Sequence, residues 1–75
     1  MDGLTVGRMV HYVAYGTPGG EYKAGAHRAA IVADVLDANL GKCTLMVANP
    51  TGIHFNTSSF SNGHEPGTWH WIEKA

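Results

Sequence analysis

Cysteine is almost missing from this chain: Cys43 is the single one in 75 residues. An intramolecular disulfide is therefore excluded, and a lone thiol suits a reducing compartment. Charge is scarce as well. Five Lys+Arg against six Asp+Glu, a 15% charged fraction and a formal net charge of -1 leave no basic stripe. Duplex nucleic-acid binders draw most of their affinity from neutralising phosphates, so nucleic acid is not expected as a partner. No apolar run approaches 18 residues, and Met1-Asp2-Gly3-Leu4 has neither a basic stretch nor an apolar core. Neither a membrane span nor a secretory signal is expected, and the predicted location is the cytoplasm. A helical hydrophobic period is missing too. So short a chain buries only about 60% of its unfolded surface, and with no staple in sight the extra burial is expected from self-association into a homo-oligomer.

What the chain does have is a series of short β-rich runs punctuated by turns. His27 to Leu36 (HRAAIVADVL) reads as the central strand, because Ile31, Val32 and Val35 are β-branched and Gly41 stops the run. At period 2, Ala29, Ile31, Ala33 and Val35 form a wholly apolar face, predicted to be sealed, and Arg28, Ala30, Val32, Asp34 and Leu36 form the mixed one. Thr5 to Ala14 reads as a first strand with Val6, Val10, Tyr12 and Ala14 on one side. Lys42 to Ala48 is a third with Cys43, Leu45 and Val47 together, Ile53 to Asn56 a fourth, and Thr68 to Ile72 a fifth. Asn49-Pro50-Thr51-Gly52 is the hairpin turn between the third and fourth. The predicted architecture is a single all-β domain over residues 1–75, a small five-stranded SH3-like barrel, with an OB-like barrel as the alternative.

Two loops hold most of the unusual chemistry. Tyr15 to Ala26 (YGTPGGEYKAGA) is long for so small a domain, and long loops on compact scaffolds tend to be functional. Its Gly19 and Gly20, with Thr17 beside them, permit backbone N–H groups to approach an anion; a plain turn is the competing reading. The loop lacks the Gly-Lys-Ser/Thr end of a Walker motif and is not GxGxxG. Arg28 follows it, and its planar guanidinium suits a phosphate, or else an ion pair with Glu21 or Asp34. Tyr15 and Phe60, in loops, and Trp69 and Trp71, on the last strand, are candidates for stacking on a base, the core being the rival destination for the indoles. Five histidines are many for this length. The nearest pair, His64 and His70, lacks the local spacing of zinc ligands, so no metal and no cofactor is expected. His11, His54 and His70 are assigned instead to the outer or pocket face, where imidazole can hydrogen-bond a ribose hydroxyl or a phosphate, and a histidine or Asn56 is expected to read the ribose. No carboxylate pair is placed for acid and base work, Ser58, Ser59 and Ser61 have no nucleophile context, and an enzyme is not expected; a small phosphodiesterase is the minor alternative.

The segments Val10-His11-Tyr12-Val13, Gly16-Thr17-Pro18-Gly19-Gly20, Arg28-Ala29-Ala30-Ile31-Val32, Asn49-Pro50-Thr51-Gly52 and Pro66-Gly67-Thr68-Trp69-His70-Trp71 resemble a group of very small uncharacterised proteins of actinobacteria and their phages. By size, architecture and clustered His and Trp, the chain also resembles phage proteins that sequester nucleotide immune signals, of the Sequestin, Lockin and Thoeris anti-defence type. That resemblance implies binding, without cleavage, of a cyclic ADP-ribose variant, His-ADP-ribose or a cyclic dinucleotide at a homo-oligomer pocket, in the host cytoplasm. The ligand set expected for it is Tyr15, Thr17, Gly19, Gly20, Arg28, Asn56, Phe60, His64, Trp69, His70 and Trp71. The alternative is an SH3-like module that binds a host or phage protein.

Overall fold

The computed structural model describes residues 1–16, 25–50 and 52–73, so Thr17, Gly19 and Gly20 lie outside the described residues. Five strands, β1 (Met9–Val13), β2 (His27–Asp37), β3 (Lys42–Asn49), β4 (Gly52–Ser58) and β5 (Trp69–His70), form one sheet in the order β4-β3-β2-β1-β5. Every ladder is antiparallel, and no helix occurs among the described residues. The all-β expectation holds, but the barrel, SH3-like or OB-like, is not closed. β4 and β5 remain opposite edges of the sheet. A parallel bridge links Phe60, just past β4, to Trp69, with the Trp69 N–H donating to Ser59 O (3.2 Å) and the Ser61 N–H to Trp69 O (3.0 Å).

Element bounds move for local reasons. β1 starts at Met9 rather than Thr5, because the Arg8 N–H turns back to Thr5 O (3.1 Å) and Gly7 takes a positive φ of 93°. β5 keeps only two residues, since just His11 and Tyr12 of β1 pair with it.

The larger correction concerns β2. The face read as sealed is the outer one: Ala29 and Ala33 are exposed and Ile31 is half-buried, while Ala30 and Val32 are each 1% exposed. Cross-strand partners decide the face where both alternations are apolar, because a one-residue slip exchanges them. Ala30 lies opposite Val47 and Val32 opposite Leu45, both fully buried. A register shift between Val32 and Asp34 then inverts the parity, so Val35 falls opposite Cys43 and packs against the core.

The core lies on the inner face, where Val10 and Tyr12 of β1, Ala30 and Val32 of β2, Cys43, Leu45 and Val47 of β3 and Trp69 of β5 meet Leu4. Cys43 behaves as a small core hydrophobe, its thiol pushed up to about 11 by burial. Trp69 is the largest fully buried side chain, and its indole N–H donates to Gly41 O (2.7 Å). That carbonyl also takes the Phe60 N–H (3.1 Å). Gly41 is required there: its φ is +69°, and a Cβ would stand 2.6 Å from Phe60 Cβ. Asp37 Oδ1 fixes the same turn by accepting from Asn39 N–H (3.0 Å) and Leu40 N–H (3.2 Å).

Candidate metal centre

At the β5-β1-β2 end of the outer face, three strands each contribute an imidazole. His11 of β1 lies directly opposite His70 of β5, and His27 opens β2 across from Val13. Residues two apart on a strand share a face, so the register alone brings these rings together. Their centroids are 5.7 Å apart for His11 and His70, 4.7 Å for His27 and His70, and 5.8 Å for His11 and His27. Glu73, three residues beyond His70, folds back over them. One carboxylate accepts from His11 Nδ1 (3.2 Å), from His27 Nδ1 (3.1 Å) and from His70 Nε2. The donor atoms of His11, His27, His70 and Glu73 all lie within 4.8 Å of one another.

A fourth ring completes the group. His64 stacks on His70 (3.9 Å, 22°) and stands 5.0 Å from His27. It is the one non-glycine residue with positive φ, +57°, among the described residues. The loop that imposes this is tied down by Ser61 Oγ, which meets the Glu65 carboxylate and accepts from Gly63 N–H (3.1 Å), and by Thr68 Oγ1 donating to Glu65 O (2.6 Å).

The electrostatics prepare the cluster for a cation. His70 is 2% exposed, and this burial lowers its pKa despite the opposing pull of Glu73, so its ring is neutral at neutral pH. Desolvation beside the rings pushes Glu73 upward, but hydrogen bonds from His11, His70 and His27, together with the charge His70 carries once acid protonates it, outweigh it and hold the carboxyl at about 2. Neutral imidazole and ionised carboxylate are the forms a metal ion requires. Bonds of 2.0–2.1 Å in a zinc tetrahedron place ligand atoms about 3.3 Å apart. The His11 and His27 contacts to Glu73, 3.2 and 3.1 Å, already have that separation. His70 Nδ1 is buried with no partner among the described residues, and buried polar atoms left unsatisfied concentrate where function overrides packing.

The residues predicted to form one ligand pocket are distributed over three places. His64 and His70 join the metal cluster. Trp69 is core, and Phe60 and Trp71 pack on it with ring centroids 5.1 and 5.0 Å away, which removes the first indole and hinders the others as open stacking surfaces. Tyr15, 68% exposed, lines a separate cleft of about 410 Å³ with Tyr12, Ala14, Gly16, Asn49 and His54. Asn56 stands next to it, donating to Tyr12 Oη (2.8 Å). Arg28, half-buried opposite Tyr12, is not among the described residues lining that cleft. The sequence assigns His11 to a ribose or phosphate contact and gives no role to His27 or Glu73, because zinc-ligand spacing is a local rule. The usable signal was that His11, His27 and His70 each sit in a predicted strand, so that strand pairing sets their distances.

Comparison with protein-family models, with curated proteins and with solved structures returned no match. No helix among the described residues is long and apolar enough to cross a membrane. Fold and site together define a small, open, antiparallel β-sheet domain with a histidine-carboxylate centre on its outer face.

Proposed function

We propose that this domain binds a divalent transition-metal ion, of which zinc is the best match, through His11, His27, His70 and Glu73. The observation that carries the reading is the convergence of three imidazoles, rooted in three different strands, on one carboxylate, with all donor atoms within 4.8 Å. Three nitrogens and an oxygen in a compact set suit zinc and its neighbours, whereas calcium and magnesium want oxygen ligands. A bound ion would supply Lewis acidity at this spot; the chain's part is to hold three imidazoles in fixed register and keep Glu73 ionised. The test is metal analysis of chelator-stripped and reconstituted protein, followed by calorimetry with zinc. One equivalent is expected, weakened at least 100-fold by His70→Ala and by His27→Ala. Substoichiometric zinc, or equal affinity in both variants, rejects the site.

A second reading, sequestration of a nucleotide-derived signal by a homo-oligomer, is supported by the cleft of about 410 Å³ beside Tyr12 and Tyr15. That is within the size range of small-molecule sites, and its two phenols, Asn49 and His54 offer stacking and polar contacts. Calorimetry with cyclic ADP-ribose isomers, His-ADP-ribose and cyclic dinucleotides tests it, with intact ligand recovered after heating. Absence of heat with all of them rejects it.

A further inference from the structure

The outer face that holds the histidines continues without interruption into apolar surface. Met9 lies opposite Ile31, Ile31 opposite Met46, and Met46 opposite Phe55, a row across β1, β2, β3 and β4. Beside it runs a groove of about 180 Å³ lined by Met9, Ala29, Ile31, Met46, Ala48 and Ile53, none of them charged or polar. Its large side chains stand in water, Met9 50% and Ile53 63% exposed.

Groove and metal cluster adjoin. Ala29 is the direct cross-strand partner of His11 and is two residues along β2 from His27, so the groove begins about 5 Å from the nearest imidazole-bearing residue. We infer that the two form one site, for an anion with a short hydrocarbon tail: a medium-chain carboxylate whose head binds the metal ion and whose tail lies between Met9 and Ile53. The inference rests on the metal reading above.

The donor set explains how the head gains access. Three ligands sit on ladder strands, but Glu73 follows β5, outside any strand, and its side chain is 44% exposed. It is the donor that exchanges. With Glu73 swung out to water, an ion held there would keep its three imidazole ligands and a net positive charge, and a carboxylate oxygen of the ligand would fill the position that Glu73 leaves. Charge and coordination number are both preserved. The apolar floor beside that position distinguishes a tailed anion from a small one, since each buried methylene contributes about 0.8 kcal/mol in general.

Zinc-loaded full-length protein titrated calorimetrically with octanoate, acetate and octan-1-ol tests this, with zinc-free protein as the comparison. Octanoate is expected to bind at least tenfold more tightly than acetate, and neither octan-1-ol nor the zinc-free protein with octanoate is expected to give measurable binding. Ile53→Asp, at an exposed position, is expected to remove the octanoate advantage while zinc affinity stays within twofold. Full zinc occupancy with equal affinity for octanoate and acetate overturns the inference and leaves the metal reading standing. Octanoate binding that is indifferent to zinc overturns it as well, as does light scattering that shows a dimer covering the groove and excluding octanoate. Failure to take up zinc is seen directly in the metal analysis, and it removes the metal reading and this one together.

Discussion

The two faces of this sheet obey different rules. On the inner face the core is closed off and its polar atoms are largely satisfied: the Trp69 indole N–H donates to Gly41 O at 2.7 Å and Tyr12 Oη accepts from Asn56 at 2.8 Å, with Arg28 Nε the buried atom left without a partner among the described residues. On the outer face a histidine is buried to 2% exposure with a ring nitrogen unpartnered among the described residues, another is held at φ +57°, and large apolar side chains stand in solvent. Folding alone accounts for the first pattern. The second costs stability in each of its parts, which is the usual mark of a surface kept for binding. Perturbing each face separately tests whether the division is real.

The largest effect belongs to the inner face. Trp69→Ala removes the biggest fully buried side chain and its hydrogen bond, a change that typically costs about 3–5 kcal/mol. A domain of this length has a total stability of about 4–11 kcal/mol. Urea unfolding is therefore expected to show the variant stripped of about 3–5 kcal/mol, a third or more of the total stability over most of that range. A loss below about 1 kcal/mol removes Trp69 from the centre of the core.

Next comes the outer face, whose stability is expected to depend on its ion. Zinc at 100 times its dissociation constant stabilises a folded protein by about 2.7 kcal/mol, equivalent to a melting rise of roughly 10–20 °C for a domain this small. That rise is expected in the wild type, and it is expected to vanish in His27→Ala while the zinc-free melting point moves by only a few degrees. It is also expected to fade in acid, where protons compete with the metal for its ligands. An equal rise in the variant removes His27 from the site.

A pair of glycines gives a smaller contrast. Gly41 and Gly25 share positive φ, +69° and +81°, but a Cβ on Gly41 meets Phe60 Cβ at 2.6 Å while one on Gly25 meets nothing within 4 Å. Alanine at position 25 is expected to cost about 1 kcal/mol from backbone strain, and alanine at position 41 at least about twice that, as read by chemical denaturation. Equal costs mean the turn under Trp69 is not tightly packed.

How far the sequence reveals this division follows from the same contrast. β3 is legible because Cys43, Leu45 and Val47 share one face at period 2, and all three are buried. The fold class is legible from Gly and Pro punctuation between β-branched runs. β2 misleads because both of its faces carry apolar residues, the charged Arg28 and Asp34 lying on the face with Ala30 and Val32, and the irregularity near Ala33 inverts its parity; the partners on β3 distinguish inside from outside. The candidate site is harder still. His11, His27 and His70 are distant in sequence and become neighbours only through the register of β1 with β2 and β5, information that a spacing rule for local motifs does not contain. Tyr15 lines a cleft, while Trp69, a candidate for stacking, goes to the core because its register opposite Tyr12 puts it on the inner face.

The finest test concerns His64, where stacking and strain act on one residue. Its ring lies 3.9 Å from that of His70, yet it makes no hydrogen bond to Glu73 among the described residues and its φ is +57°. His64→Ala removes the ring and keeps the left-handed backbone, whereas His64→Gly removes both the ring and the strain. Without zinc, the glycine variant is expected to be more stable than the alanine variant by about 1 kcal/mol, the usual excess of a left-handed conformation for a residue with a Cβ. Both variants are expected to hold zinc within about threefold of wild type, because the four donors remain. Equal stability of the two variants would show that the loop relaxes when the imidazole is gone, and that stacking on His70, rather than the Ser61 and Thr68 anchors, imposes the conformation. A loss of zinc affinity as large as that of His70→Ala would instead place His64 among the ligands.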